Sequence, residues 1–289
     1  MTSISLEKPK KELLEKHLQM IVGERFPGKS DQHLQEVFRY IKETLQTLGY
    51  QIELHSFRAL GEMYQNIIAR KKGKTSDKRI IIGAHFDSVP GTPGADDNAS
   101  GVAVMLELAR IFSNYSWNHT IEFIGFNLEE WNMLGSSAYA EKLKYEHSQI
   151  LGMISIEMVG FANDTPGSQK LPPTFGLFYP DVGNFIGVVG NPRSYSLLQK
   201  AKSNMKKVRD LPIESMIVPF NGMLFPACRL SDHSPFWDLG YPALLVTDTS
   251  FYRNPHYHGP TDRIETLNMD FMLKTTQSLT EAILAFDLS

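Results

Sequence analysis

Three apolar runs in this chain end on side chains that can hold a cation or carry a proton. His85 and Asp87 follow the run Ile80–Ala84, Glu129 and Glu130 follow Ile121–Leu128, and Glu157 follows Ile154–Ile156. A loop rich in Gly, Pro and Asp leads from His85 to Asp96 and Asp97, and the apolar stretch after Gly101 then has helical spacing. Imidazole and carboxylate donors of this kind suit a divalent metal. Ligands in open α/β sheets bind beyond the carboxyl ends of the strands, where residues far apart in sequence converge. A charge after an apolar run is also an ordinary surface feature, so no single one of these residues carries the reading. Together with Asp97 they do, because carboxylates crowded in one cleft need a cation.

Glu129 and Glu130 need separate roles. Side chains of adjacent residues in extended backbone point to opposite sides, so one can ligate while the other faces the substrate. A metallohydrolase needs both functions, since a metal lowers the pKa of water and a nearby carboxylate accepts the proton. The missing imidazole comes from the long aromatic loop FYRNPHYHGPTD, which offers His256 and His258 without deciding between them. In SDHSPFW, Ser231 or Asp232 reads as a helix cap and His233 as a residue satisfied by its neighbours. Met223, Phe225 and Phe251 could line a specificity pocket, with core packing the ordinary role for each. His17, His33 and His147 read as members of polar helical faces.

The elements that position these residues alternate between strand and helix. Amphipathic helices are expected at 8–22 and 31–48, the second capped by Ser30 or Asp31 and stopped by Gly49. Strands are expected at 51–57, 64–69, from 80, and at 120–126, 150–156, 185–189, 211–218 and 243–246. Helices are expected at 99–112, 134–146, 193–206, 231–239 and 267–286. The polar stretch 71–78 reads as a turn, and its Gly73-Lys74-Thr75 lacks the earlier glycine of a phosphate loop. Residues 161–183, with Pro166, Pro172, Pro173 and Pro180, read as loop. The rhythm predicts an α/β fold with a largely parallel sheet between helices. With no repeat or long linker, 1–289 reads as one domain with the helices of 8–48 packed on it.

Lys+Arg 29 against Asp+Glu 32 leaves no basic excess, so nucleic acid is an unsuitable partner. The N-terminus has no apolar core of the signal-peptide kind, no window suits a membrane span, and Cys228 is the single cysteine. These features lead us to expect a cytoplasmic protein.

The segments GAHFDSVPGTPGADDNASG, FNLEEWNMLGSSAYA, IEMVG, SDHSPFW and NPHYHGPTD occur in that order between Arg79 and Asp262. Together they resemble the signature blocks of the M28 metallopeptidases, the zinc aminopeptidases. The resemblance implies a three-layer sandwich: a mixed, mostly parallel sheet flanked by helices, of the zinc-dependent exopeptidase, phosphorylase/hydrolase-like kind. It also implies two zinc ions per chain and peptide substrates. Block by block, it assigns His85 and Glu157 to one zinc, Glu130 and His258 to the other, and Asp97 to both. Glu129 becomes the general base and acid, Asp87 orients His85 through its other ring nitrogen, and Asp96 has no ligand role. Many members carry Asp where this chain has Glu157. A cis peptide is expected at Asp97–Asn98. Glutaminyl-peptide cyclotransferases resemble the same fold with a single zinc, and some relatives keep the fold as binding domains after losing ligands.

Overall fold

The computed structural model describes residues 6–172, 176 and 178–288. The first five residues of the terminus read above, and Pro173 of the proline-rich loop, lie outside them. Eight strands form one sheet: β1 (Gln51–Ala59), β2 (Glu62–Lys71), β3 (Ser76–His85), β4 (His119–Phe126), β5 (Ile150–Glu157), β6 (Ile186–Gly190), β7 (Ile213–Ile217) and β8 (Ala243–Thr247). Their order is β1-β2-β4-β3-β5-β8-β6-β7. The central strands β4, β3, β5 and β8 are parallel neighbours. The parallel pair β6–β7 runs antiparallel to β8, and β2 of the β1–β2 hairpin pairs antiparallel with β4. This is the mixed, mostly parallel sheet between helices that the alternation predicts. Because the central strands share one direction, the carboxyl ends of β3, β4, β5 and β8 meet at one edge.

Helix burial follows the spacing of apolar residues. In α1 (Lys11–Ile21) and α2 (Asp31–Thr47) the buried positions recur every three or four residues, Leu34, Val37, Ile41 and Leu45 in the second. These helices join α3 (Gly101–Ile111), α5 (Tyr195–Met205) and α7 (Met269–Asp287) over the sheet face carrying Ile80, Ile82, Phe123 and Ile154. The other face, with Ile81, Ile124, Phe126 and Met153, lies under α4 (Leu134–Tyr145) and α6 (His233–Asp238). Glu122, buried in β4, is held by Arg70 at 2.7 Å, Arg79 at 3.2 Å and the Tyr139 hydroxyl at 2.6 Å, the partners a buried carboxylate requires.

Local details correct four readings. β3 reaches back into the polar stretch 71–78, because the N–H groups of Thr75 and Ser76 already donate to Asn118 O across to β4. Ser30 makes no side-chain cap on α2; Asp31 instead accepts the N–H of Gly28 at 2.8 Å. His17 is buried rather than on a polar face, with Nδ1 2.7 Å from the Tyr40 hydroxyl. Asp232 and Ser231 make no cap on α6 either. Gly49, at φ 78°, follows α2 as expected. No helix among the described residues is long and apolar enough to cross a membrane.

Candidate active site

The carboxyl edge of the sheet gathers six of the residues singled out above. His85, at the end of β3 and fully buried, turns Nε2 toward Asp97 Oδ1 at 3.2 Å, Glu157 Oε1 at 3.4 Å and Glu129 Oε2 at 3.8 Å. The other oxygen of Asp97 lies 3.1 Å from His258 Nε2, which is itself 3.4 Å from Glu130 Oε2. Asp97 therefore stands between two imidazoles, one on each side of its carboxylate. Glu157 receives a hydrogen bond from Ser231 Oγ at 2.8 Å, and Ser231 Oγ in turn pairs with Ser155 Oγ at 2.8 Å.

The backbone is shaped to deliver these groups. Gly94, at φ 62°, opens the turn before Asp97; a Cβ there would lie 2.5 Å from Asp97 O and 2.7 Å from Arg25 Nη2. The Asp97–Asn98 peptide is cis, as the resemblance implies. Asp262 accepts the N–H groups of Asp96 at 2.9 Å and Asp97 at 3.2 Å. Glu129 and Glu130 diverge, but not by strand alternation. The chain turns after β4, with Leu128 at φ 59° and Asn132 and Met133 also left-handed. Asp87 fixes that turn by accepting the Glu129 and Glu130 N–H groups. Its Oδ1 also lies 3.5 Å from His85 Nδ1, an ion-pair contact longer than a hydrogen bond.

The charges are mutually perturbing. Burial raises the Glu129 carboxyl well above its usual range, and the charges of Glu157, Glu130 and Asp232 add to this while His85 opposes it. Burial, then Asp97, lifts Glu130 to about 7. Burial also raises Glu157. Burial opposes the ionised form of Asp97, yet hydrogen bonds from His258 and His85 hold it well below the carboxylate range. His258 is lifted to about 10 because Asp97 and Glu130 outweigh the effect of its burial. Ligand atoms of His85, Asp97 and Glu130 lie within 4.8 Å of one another. Buried Glu130 Oε1 has no hydrogen-bond partner among the described residues. Carboxylates so crowded, one with an unsatisfied oxygen turned inward, fit a divalent cation.

Other candidates lie elsewhere. His256 Nδ1 pairs with Thr261 Oγ1 at 2.9 Å, away from the carboxylates, so the loop brings His258 to them instead. Asp96 accepts the Gly160 N–H at 2.9 Å and Asn254 Nδ2 at 2.6 Å, ties that are structural. His233 Nε2 pairs with Cys228 O at 2.9 Å and packs on Trp237, as a satisfied core histidine does. Asp232, read as a cap, is fully buried beside the cluster instead, with burial and the nearby Glu157 and Asp87 lifting it to about 7 against His85. Met223, Phe225 and Phe251 are not core residues: they are 66%, 37% and 38% exposed. Phe225 and Phe251 line a cavity of about 640 Å³ that opens onto Asp97, Glu129, Glu130, Glu157 and His258.

Sequence reasoning missed Asp262 and Arg25. Asp262 closes the NPHYHGPTD segment, where its acid was legible but its partner was not. Arg25 gave no signal. Its fully buried guanidinium donates to the carbonyls of Phe86 at 2.8 Å, Gly23 at 2.6 Å, Pro93 at 2.9 Å and Gly94 at 2.9 Å, clamping the loop between His85 and Asp97.

A family model described as "Peptidase family M28" matches residues 66–283. The chain belongs to peptidase family M28. The M28 chain is 34% identical over 284 residues to YfbL of Escherichia coli K12, described as uncharacterised, covering 93% of this chain and 86% of that protein. It is 30% identical over 223 residues to a probable leucine aminopeptidase of Trichophyton verrucosum, covering 72% of this chain and spanning about half, 54%, of the relative. Among solved structures, an aminopeptidase from Aneurinibacillus sp. strain AM-1 superposes with TM-score 0.74 at 19% identity, covering 96% and 93% of the two chains. BSAP, a zinc aminopeptidase from Bacillus subtilis, gives 0.62 at 26% identity over 78% of this chain and 50% of its own. A glutaminyl cyclase from Porphyromonas gingivalis gives 0.68 at 18% identity, covering 96% of each chain.

Proposed function

We propose that this chain is a zinc-dependent aminopeptidase that hydrolyses the N-terminal peptide bond of peptides. The observation that carries the reading is the use of both Asp97 oxygens, 3.2 Å from His85 and 3.1 Å from His258. This arrangement supports two zinc ions: His85, Glu157 and Asp97 would hold one, and Glu130, His258 and Asp97 the other. Membership of a peptidase family and likeness to leucine and zinc aminopeptidases support the same reading.

Zinc bound there would polarise the scissile carbonyl and lower the pKa of water. Glu129 is the chain's proton carrier. Its carboxylate accepts a proton from water and, once protonated, returns it to the leaving amine; the burial that raises its pKa makes it the stronger base. Asp87 orients His85 and holds the turn that aims Glu129. The carboxylates of Glu129, Glu130 and Glu157 that line the cavity suit a free peptide amine beside the cluster, which would make the cleavage an exopeptidase reaction.

The test is a panel of aminoacyl amides and N-blocked peptides, with zinc counted per chain and chelator added. Cleavage of unblocked substrates that stops with chelator and returns with two zinc equivalents is expected. Cleavage of blocked peptides alone overturns the aminopeptidase reading. One zinc per chain, with conversion of N-terminal glutamine to a cyclised product, favours glutaminyl cyclisation, the activity named for the Porphyromonas gingivalis neighbour.

A further inference from the structure

The cavity beside the carboxylate cluster is larger than the cluster needs, and its floor has an address at the far side. Strand register places Glu157 opposite Thr247, Thr247 opposite Gly187, and Gly187 opposite Glu214. Residues directly paired across a sheet share a face. These four therefore form one lateral row across β5, β8, β6 and β7, and all four line the cavity. Glu214 sits three strand spacings from Glu157, about 14 Å along the row. Between them lie only a threonine and a glycine. Gly187 has no side chain, so no Cβ rises from the row between Thr247 and Glu214; one placed there would sit in ordinary contact with Thr247 O at 3.4 Å and Thr249 Cγ2 at 3.7 Å.

The walls are apolar, including Leu224, Phe225, Val189, Met216 and Tyr179. Glu214 is the one acid at that end, partly buried on the edge strand. Among the described residues, no Lys, Arg or His nitrogen lies within 4.0 Å of it. An apolar channel ending in an unmatched carboxylate fits a long methylene stem with a cation at its tip.

We propose that Glu214 selects peptides whose first residue is Lys or Arg: with that residue's Cα over Thr247, two strand spacings or about 10 Å from Glu214, the stem crosses the apolar floor over Gly187 and the cation meets the Glu214 carboxylate leaning back along the row. This rests on the aminopeptidase reading, since it is the first residue whose side chain enters beside the carboxylate cluster. Glu214 acts as a specificity residue and takes no part in bond breaking.

The experiment compares lysyl and norleucyl amides, equal in stem length and different in charge, on the zinc-loaded wild type and on Glu214→Gln. Wild type is expected to favour lysyl by kcat/KM. Glu214→Gln should cut the lysyl-to-norleucyl ratio by about 10-fold or more, the scale of a lost charge-assisted hydrogen bond. Glu214→Lys should invert the preference. Calorimetric binding of lysinol against norleucinol supplies a readout independent of turnover. If no aminoacyl amide is cleaved yet lysinol binds more tightly through Glu214, the peptidase reading fails and the cation site stands. A ratio unchanged by Glu214→Gln in both assays overturns the proposal. So does release of dipeptides instead of single residues, which would assign the cation to the peptide's own amine.

Discussion

Asp87 accepts the N–H of Glu129 at 3.1 Å with one carboxylate oxygen and that of Glu130 at 3.2 Å with the other. One buried side chain at the end of β3 thus fixes the turn after β4, and with it both glutamates. Asp87→Asn would keep one acceptor and turn an NH₂ toward a backbone donor. The variant is expected to lose about 10- to 100-fold in zinc affinity or kcat/KM. Wild-type values in both would show that the turn holds without this carboxylate.

Glu129 is expected to matter for the chemical step rather than for binding zinc. Glu129→Gln should lower kcat by about 10²- to 10⁴-fold while zinc stoichiometry stays at the wild-type value. Loss of zinc in this variant would make Glu129 a ligand and return the base role to another group.

Zinc binding should stabilise the fold, because the crowded carboxylates repel one another without it. At free zinc about 100 times its dissociation constant, the gain is about 2.7 kcal/mol per site. Chelation is therefore expected to lower Tm, and His258→Ala, which removes a donor from one side of Asp97, should lower the bound zinc per chain. A Tm indifferent to chelator would exclude zinc as a structural component of this edge.

The Arg25 clamp predicts a stability defect at a residue that holds no metal itself but braces the loop between His85 and Asp97. Arg25→Met leaves the carbonyls of Phe86, Gly23, Pro93 and Gly94 without their buried donor. A loss of about 3 kcal/mol or more is expected from denaturant unfolding. A loss under about 1 kcal/mol would mean that water replaces the guanidinium.

Two buried histidines predict weakening in acid. Burial, aided by Lys16 and Arg110, lowers His17 from 6.5 to about 4. Burial lowers His233 from 6.5 to about 3, against the Cys228 carbonyl bond. Below 6.5 the unfolded chain binds protons that the folded chain refuses. Their contribution is thus complete above 6.5 and is lost as pH falls toward about 4 for His17 and about 3 for His233, by up to about 1.4 kcal/mol per pH unit each. His17→Leu should show a shallower fall in unfolding free energy between pH 7 and 5 than wild type, measured without metal. Parallel slopes would refute the assignment.

Periodicity and strand-end chemistry made most of the sheet and its loaded edge legible. Those signals are local: an isoleucine run, an acid after it, an imidazole in a long loop. What stayed hidden depends on partners distant in sequence. Asp262 holds the Asp97 turn across 165 residues, and Asp232 reads as a cap until its burial beside His85 is known. Spacing left His256 and His258 open and the family blocks assigned His258; the loop's path, with His258 at φ 55°, brings that ring to Asp97. The divergence of Glu129 and Glu130 was expected for the wrong reason, since a left-handed Leu128 and not strand pleating turns them apart.

Arg25 has a last consequence. The stretch recognisable as M28 starts at residue 66, inside β2, whereas the guanidinium that braces the loop between His85 and Asp97 comes from residue 25. A chain trimmed to the recognisable stretch would forfeit β1, α1, α2 and that brace, baring Phe86 and the helix α3 they cover. The edge of the family match is not a place to cut: the stretch it spans is smaller than what must fold.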